Sequence, residues 1–500
     1  MATNLEPRPG KVRPLIATQR TALKAFLAHE YFALFDEPGM GKTRVCIEAA
    51  KELLKTGEIT RVMVICPAPV RFAWADPEFG ELATWGIDPR QVFIFDSYSY
   101  HKLWSKDWQW VIVSYDILRS EGHHSSLIRW ARAERAMIVM DESSYIKAMR
   151  AARTKACIKL ARHFFRRYIL NGTPIANTPE DLYSQFLVLD YNIIDCSRWV
   201  FRLRYCKMGG YMGKQVVGLA KETQVELYKK IRPFYLQRRK KEALDLPPVT
   251  LTPRFVPLEK TTWRVYTDMR DELIAILREG PGDQKILTAS NAGVRLVRLM
   301  EITAGQLEEH VVGSEKIDDT LDYLEERQEG RLIVWTWFRV ETARVATAIL
   351  RHVVKQVAPY RSVGMLIGGM TRDKRDTVIR GFNNDENGIL VSQLAAGGMG
   401  VNLQRASNML FLSRAYSLLM RIQAIGRVDR MGQTAESVSV VDSIATGPKG
   451  EPTVDRAVLT ALRRKTELAN WTRGEWLKVL QEEKTAALRS KDLFDTSNLQ

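Results

Sequence analysis

Short runs of apolar residues alternate along this chain with stretches whose apolar positions recur every three or four residues. The runs VMVIC at 62–66, VFIF at 92–95, VIVSY at 111–115, MIVM at 137–140 and YIL at 168–170 have the length and β-rich composition of strands, and the stretches between them have the period of helices. This alternation, from about residue 20 to 190, predicts a parallel sheet covered by helices. A second series, LIVWT at 332–336, VGMLI at 363–367, ILVSQ at 389–393, MLFLS at 409–413 and VSVVD at 438–442, predicts another. The fold class is therefore α/β, with two such domains.

Between the two series, over roughly 180–315, the pattern turns helical and charged, broken by Gly209-Gly210, the basic run RRKK at 238–241 and LPP at 246–248. Helical insertions and a connector are expected there. After about 446, GPKGEP marks a turn and helical spacing resumes up to a polar tail. The expected organisation is a first lobe over 1–195, insertions and connector over 196–315, a second lobe over 316–445 and a short helical extension over 446–500.

Composition narrows this picture. Five hundred residues, 45% of them hydrophobic, exceed one core and suffice for two or three. Lysine and arginine number 74 against 58 acids, a formal net charge of +16 that attracts polyanions; charge alone fits a nucleic-acid partner and an ordinary basic enzyme equally. The five cysteines, Cys46, Cys66, Cys157, Cys196 and Cys206, form no C-x-x-C pair, so neither a zinc module nor a disulfide framework is expected. No apolar run approaches the ~18 residues of a membrane span, and the N-terminus lacks a signal-peptide pattern. A soluble cytoplasmic protein without a membrane partner is expected.

Three motifs carry candidate chemistry. DEPGMGKT at 36–43 follows the apolar YFALF and precedes an amphipathic helical stretch. Gly39 and Gly41 can adopt backbone angles closed to other residues and curl successive N–H groups around phosphate oxygens. Lys42 would meet the β- and γ-phosphates and Thr43 would offer its hydroxyl to magnesium. Asp36 stands where the strict phosphate-loop pattern has glycine. DES at 141–143 follows the strand MIVM, where an open parallel sheet places functional loops: Asp141 would hold the magnesium through its water shell and Glu142 would orient and deprotonate the attacking water. In QAIGRVDRMGQ at 423–433, Arg427 and Arg430 are three residues apart, hence on one face if helical, and suit an arginine-finger arrangement that makes hydrolysis depend on closure of two domains. The segment 146–168 holds eight lysines or arginines and no acid; a helix this basic either lies along DNA or forms a solvated face.

In order along the chain, these residues resemble the Swi/Snf-like family of superfamily-two helicase-related translocases. RPLIATQRTALKAF resembles its adenine-recognition segment, with Gln19 reading the base edge. DEPGMGKT matches the family's D-E-x-G-x-G-K-T form, Asp36 included. VICPAPVRFAW and VIVSYDIL resemble DNA-contact motifs, and ILNGTPIAN at 169–177 resembles motif III with Asn171 in place of threonine. YLQRRKKEALDLPP at 235–248 is similar to the arginine-rich and L-P-P landmark before the second lobe. RLIVWTWF at 331–338, GGMTRDKRDTVIRGFNND at 368–385 and LVSQLAAGGMGVNLQRA at 390–406 correspond to motif IV, a DNA-contact segment and motif V, the last with Gly397, Gly398, Gly400 and Asn402 at its marked positions. QAIGRVDRMGQ corresponds to motif VI, with Gln423, Arg427, Arg430 and Gln433 in place. Two positions depart from the pattern: Ser144 stands where motif II often has histidine, and LSRAYS at 412–417 replaces an aspartate, tryptophan and proline pattern.

The resemblance implies two RecA-like lobes, ATP and Mg2+ as cofactors, and Gln19, Gly39, Gly41, Lys42, Thr43 and Gln423 around the nucleotide. It implies a DNA-stimulated ATPase that translocates on duplex or branched DNA, independently of sequence, to migrate branches, remodel forks or displace bound protein. Arg71, Thr173, Thr371, Ser392 and Gly398 are the candidate backbone contacts. A strand-separating helicase and, from Ser144, a nucleotide-dependent DNA-binding scaffold are the alternatives. The departures point to a compact bacterial or phage-like member in a bacterial or phage-infected cytoplasm, with replication or recombination proteins as candidate partners.

Overall fold

The structure, a computed structural model, describes residues 14–78, 80–172, 174–175, 178–209, 215–220, 222–278, 289–327, 329–355, 362–397 and 403–463. The chain divides into two units: the described residues up to Leu244 belong to the first, and Asp245 opens the second.

The first unit is built on strands β1 (Tyr31–Leu34), β2 (Arg61–Cys66), β3 (Val92–Phe95), β4 (Trp110–Ser114), β5 (Ala136–Met140) and β6 (Arg166–Leu170). A hairpin of β7 (Cys206–Gly209) and β8 (Gln215–Leu219) follows, and a two-residue strand, β9 (Tyr235–Leu236), rejoins the main sheet. The order is β3-β4-β2-β5-β6-β1-β9 and every pairing is parallel. Every residue of β2, β4 and β5 is buried, because helices cover both faces; this is why these strands read as continuous apolar runs. Alternate side chains serve two separate cores: Met63 and Ile65 face one, Val62, Val64 and Cys66 the other.

The second unit contains β10 (Val249–Pro257), the small hairpin of β11 (Gln306–Leu307) and β12 (His310–Val311), β13 (Leu332–Thr336), β14 (Val363–Leu366), β15 (Ile389–Gln393), β16 (Asn408–Phe411) and β17 (Val438–Thr446). Its main sheet, β10-β17-β16-β13-β15-β14, is again parallel. The same alternation splits its interior, with Ile333 and Trp335 in one core and Leu332 and Val334 in the other. β10 pairs with β17 along its whole length, at an edge where Pro253 and Pro257 are tolerated.

All ten apolar runs are strands, within one or two residues at most ends. The segment expected as connector is shared out. Residues up to 244, including the helix Arg198–Tyr205 and β9, lie with the first sheet, while β10 and the helices Lys260–Arg278 and Ala289–Thr303 lie with the second. The basic segment 146–168 is not one helix: it holds a helix over Ala152–Ala161 and then enters β6. Arg166 there is buried, its Nε donating to Glu58 at 2.8 Å and its Nη1 to the carbonyls of Phe26 and His29 at 3.1 and 2.9 Å. A buried guanidinium needs such partners, so this cation stabilises the sheet and is withheld from DNA. No helix of the described residues is long and apolar enough to cross a membrane.

LSRAYS contributes a charged core to the second unit. Arg414, buried, donates to Asp442 Oδ1 at 3.0 Å and to the Ser443 carbonyl at 2.6 Å, and Arg421 grips both Asp442 oxygens at 2.8 Å. Burial works against the Asp442 carboxylate, but the two guanidiniums outweigh it and hold its pKa below the ordinary value. Asp442→Asn leaves the buried Arg414 without its counter-charge, so stability should fall by about 3–5 kcal/mol, read as a lower denaturant midpoint at neutral pH.

Candidate functional site

The phosphate loop lies between β1 and the helix Lys42–Lys55. Gly39 and Gly41 have φ of 88° and 79°, the left-handed region that other residues enter at a cost. At Gly41 space is also lacking, since a Cβ would sit 2.3 Å from Gln19 Nε2. As the N-cap of the helix, Gly41 leads into first-turn N–H groups that have no partner inside the helix and suit an anion. Lys42 folds back across its own loop, its Nζ donating to the carbonyls of Asp36 at 2.7 Å and Glu37 at 3.3 Å. Burial pulls its ammonium below the ordinary lysine value, against the negative charges of Glu142, Asp36 and Asp141. A phosphate offers stronger acceptors than two carbonyls.

Asp36 is buried and forms an ion pair with Arg238, whose Nε donates to Oδ1 at 3.1 Å and whose Nη2 donates to Oδ2. Arg238 Nη1 also donates to the Thr18 carbonyl. Around this pair the chain after β9 is sewn to the loop: Phe35 N–H donates to Leu236 O at 2.8 Å, Glu37 N–H to Arg238 O at 3.3 Å, and Lys240 N–H to Glu37 Oε2 at 3.0 Å. Gln19 is buried beneath the loop, its Nε2 on the Met40 carbonyl at 3.4 Å and its Oε1 accepting from Ile16 N–H at 3.2 Å. In this arrangement its amide supports the loop through one donor and one acceptor of the four hydrogen-bonding positions it has.

The acid pair follows β5, two strands from β1 in the same sheet and at the same, C-terminal edge. Asp141 is held on every side: Oδ2 accepts from Trp74 Nε1 at 2.8 Å, Oδ1 from the Glu142 N–H at 2.9 Å, and its carbonyl from the Tyr115 hydroxyl at 2.8 Å. Glu142 has φ 52° and ψ 52°, a strained conformation for a residue with a side chain, and such strain clusters at functional sites. Between the two loops runs the segment after β6. Asn171 N–H donates to Leu34 O at 3.1 Å, and Gly172 packs on Pro38 so closely that a Cβ would come 2.6 Å from Pro38 Cγ. Gln185, in the helix Glu180–Leu189, joins the segments. Its Oε1 accepts from Ser143 Oγ at 2.6 Å and Asn171 Nδ2 at 2.9 Å, and its Nε2 donates to the carbonyls of Pro174 and Asp181 at 2.7 and 2.6 Å. The Asn171 departure is thereby accounted for: its amide reaches Gln185. Ser144 is buried and its Oγ has no hydrogen-bond partner among the described residues.

Thr43 is the second residue of the loop's helix. With the Asp141 carboxylate it offers hard oxygen donors of the kind magnesium prefers. The residues fit the cation.

Arg71, by contrast, directs its guanidinium at the carbonyls of Ala68 and Phe95, at 3.3 and 3.4 Å. Thr173 lies outside the described residues.

In the second unit, Ser392 ends as a packing residue. It is fully buried on β15, and a Cβ on Gly397 would lie 2.1 Å from its Oγ. The hydroxyl expected to contact DNA is thus covered in this structure by the turn that holds Gly397. Thr371 is exposed at the N-cap of the helix Arg372–Asn384. Gly398, Gly400 and Asn402 lie outside the described residues. Gln423 is buried in the helix Leu418–Ile425, and its Nε2 has no hydrogen-bond partner among the described residues. Arg427 and Arg430 are not on a helical face, because that helix ends at Ile425. They stand in the tight turn after it, where Arg427 N–H donates to Ala424 O at 3.2 Å and Arg430 N–H to Val428 O at 2.9 Å. Gln433 fastens the turn through Nε2 to the carbonyls of Ala406 and Val428, at 2.8 and 3.2 Å.

Sequence reasoning missed Trp74, Gln185, Arg238 and Glu341. A buried glutamine in the apolar run EDLYSQFLVL was a faint signal; the others had none as contacts. Glu341, buried beside motif IV, accepts from Ser413 Oγ and from the N–H groups of Trp337 and Phe338 at 3.3 Å.

A parallel sheet whose glycine loop, lysine and acid pair meet at one edge, followed by a second parallel-sheet lobe, defines a nucleotide-binding protein with two RecA-like lobes. The SNF2-related domain matches residues 19–304, more than half of the chain, and the helicase conserved C-terminal domain matches residues 315–432; the chain belongs to the SNF2-related family. It is similar to the "Uncharacterized ATP-dependent helicase MG018" of Mycoplasma genitalium, 25% identical over 88% of this chain and 40% of that protein. It is also similar to the "Putative ATP-dependent helicase/translocase YwqA" of Bacillus subtilis, 24% identical over 83% of this chain and 44% of that protein. The chain thus spans less than half the length of these curated relatives. Among solved structures, the Sulfolobus solfataricus SWI2/SNF2 ATPase core in complex with dsDNA is 23% identical, covering 93% of this chain and 94% of that one, with a TM-score of 0.41.

Two predictions follow from the site's polar contacts. Arg238→Ala strands the buried Asp36 carboxylate beneath the loop, so nucleotide affinity should fall by tenfold or more in an equilibrium titration, roughly the loss of 1.4 kcal/mol, together with a lower melting temperature. Burial pushes Glu341 up to about 7, against the Ser413 hydrogen bond and the Lys316 charge. Its folded pKa thus exceeds its unfolded one, so the folded state keeps a proton that the unfolded state releases. Its stabilising contribution is full below the ordinary glutamate value and is lost as pH rises to about 7, by about 1.4 kcal/mol per pH unit. Glu341→Gln should flatten that slope in denaturation curves taken between pH 5 and 8.

Proposed function

We propose that this chain is the motor core of a DNA-stimulated ATPase that translocates on duplex DNA and remodels it, by migrating branches, reversing forks or displacing bound protein. The observation that carries the reading is the meeting of Lys42, Asp141 and Glu142 at one edge of the first sheet, Lys42 feeling the charge of both acids. The names of the two bacterial relatives, helicase and helicase/translocase, support ATP as the nucleotide.

In this mechanism Lys42 leaves the Asp36 and Glu37 carbonyls for the β- and γ-phosphates, and the first-turn N–H groups after Gly41 take the remaining oxygens. Thr43 and, through water, Asp141 would hold magnesium, which would supply neutralisation of phosphate charge. Glu142 orients a water and accepts its proton as the water oxygen bonds to the γ-phosphorus and the bond from that phosphorus to the oxygen bridging to the β-phosphate breaks, releasing ADP and phosphate. Trp74 holds the Asp141 carboxylate, and Tyr115 its backbone carbonyl, in place while this happens. Arg427 and Arg430 stabilise the charge on the transferring phosphoryl group. Gln423, a buried amide with an unpartnered donor, is assigned with Gln19 to the nucleotide.

DNA is the track in this reading, gripped through its phosphates independently of sequence. Thr371, exposed at a helix N-cap, is the best-supported of the backbone contacts, with Thr173, Arg71 and Gly398 assigned by resemblance. The commitment of Arg414 to a buried ion pair, in place of the pattern of chromatin-remodelling members, favours a bacterial or phage-type protein, working in the cytoplasm beside replication or recombination proteins. Within the expected extension over 446–500, the described helix over 454–463 packs Val454, Val458 and Leu462 into the second unit.

ATP turnover should rise several-fold with duplex or branched DNA, and no stimulation by any DNA refutes the motor. Glu142→Gln should keep ATP binding and lower turnover by at least ~100-fold, while Arg427→Ala should lower turnover by roughly 1,000-fold with ATP affinity nearly unchanged. Equal, slow hydrolysis by wild type and Glu142→Gln would instead identify a nucleotide-dependent scaffold.

A further inference from the structure

The turn after β3 presents aromatic side chains that neither core of the first unit uses. Tyr98 is 92% exposed, and Phe72, Tyr100 and Trp104 are each 44% exposed. The tyrosine is held in place, not left loose. Asp96 Oδ1 accepts from the N–H groups of Tyr98 and Ser99, at 2.9 and 2.7 Å, and Lys102 N–H donates to Ser99 O at 2.9 Å. Behind the turn lies a packed layer: the Tyr100 ring centroid is 5.0 Å from that of His123, which is 5.8 Å from that of Phe95, and Arg129 lies 4.2 Å over the Trp104 ring. A rigid backbone on a packed layer thus holds one planar ring out in water.

The place of this ring in the fold matters. All strands of the first main sheet are parallel, so the turn after β3 shares an edge with the phosphate loop and the acid pair. Phe72 stands on the helix Arg71–Ala75 that follows β2, and the Arg71 guanidinium donates to the carbonyl of Phe95, the last residue of β3. That bond brings the Phe72 helix beside the Tyr98 turn. The shoulder is basic: Lys102, Lys106 and Arg129 are exposed, Lys106 reaching the Arg90 carbonyl, against Asp96, which is engaged in the turn, and Asp107, which is exposed and paired with Arg61. A single ring standing out from this cationic shoulder suits a flat aromatic partner attached to phosphates, which the lysines and arginine can meet.

We propose that Tyr98 is a stacking platform for an unpaired nucleobase of DNA, with the cations around it meeting the neighbouring phosphates. The inference rests on the DNA-motor reading and deepens it. Such a platform gives the protein a preference for DNA with unpaired bases beside a duplex, as at a gap or fork, over a blunt duplex that has no free base face.

The test uses the full chain and two DNAs of equal length, a blunt duplex and a gapped duplex carrying 2-aminopurine at the first unpaired position. The wild-type protein and Tyr98→Phe should quench the probe and bind the gapped DNA about tenfold tighter than the blunt one. Tyr98→Ala should abolish the quench and most of that preference, with affinity for blunt duplex changed less than twofold. A Tyr98→Ala protein that quenches and discriminates like wild type overturns the platform alone. Wild type that binds neither DNA overturns the motor reading and the platform together. If Tyr98→Ala changes sedimentation of the free protein and leaves the quench intact, the ring meets protein and the proposal falls.

Discussion

The buried ion pair between Asp36 and Arg238 is the contact on which the nucleotide site depends. A carboxylate placed under a phosphate loop faces two costs, desolvation and repulsion of the anion above it. The Arg238 guanidinium offsets both. In doing so it draws the chain after β9 against β1 and gives Glu37 two backbone bonds, one as donor and one through its carboxylate. The loop that holds Gly39 and Gly41 in left-handed conformations is therefore braced from below by residues about 200 positions away. Asp36, the position that breaks the strict phosphate-loop pattern, is the anchor of that brace.

Around it, the first sheet's edge is organised by polar groups that leave few degrees of freedom. The Asp141 carboxylate accepts from a buried tryptophan and from the Glu142 N–H, and its backbone carbonyl from Tyr115, so the carboxylate is set by two donors and its backbone by a third. Gln185 uses both ends of its amide to connect the acid-pair loop with the segment after β6, and Gly172 allows that segment to press on Pro38. Preorganisation of this kind is what electrostatic catalysis requires. It also gives any movement of the segment after β6 a direct mechanical route to both phosphate loop and acid pair.

The second unit carries its polar burden differently. Arg414 with Asp442, and Lys316 with Asp455 at 2.6 Å, are charges placed inside a hydrophobic core and matched there. Lys316 also donates to the Leu412 carbonyl at 2.8 Å, and Asp455 accepts from Thr303 Oγ1 and Ala445 N–H. These bonds tie the segment after β16 and the C-terminal helix to the sheet. The turn bearing Arg427 and Arg430 follows the helix that supplies Arg421 to the same cluster, so its position is inherited from a buried charge.

The order of strands and helices, the glycine loop, the acid pair and the family pattern were all legible in the sequence, because periodicity and short motifs are local signals. Apolar runs such as VMVIC report a strand buried on both faces, and two glycines beside a lysine report a backbone that must turn tightly. What only the tertiary structure decided were the long-range polar contacts. Nothing near Trp74 tells that its indole N–H will find a carboxylate 67 residues away, and nothing in RRKK separates Arg238, buried on Asp36, from its neighbours. The same holds for Arg166, which composition placed with a basic surface and the fold placed in a core, for Ser392, which the fold turned inward, and for Arg427, which stands beyond its helix. A hydrogen bond between distant residues depends on where the backbone brings two side chains, and that is set by packing of whole elements, which no short stretch of sequence contains.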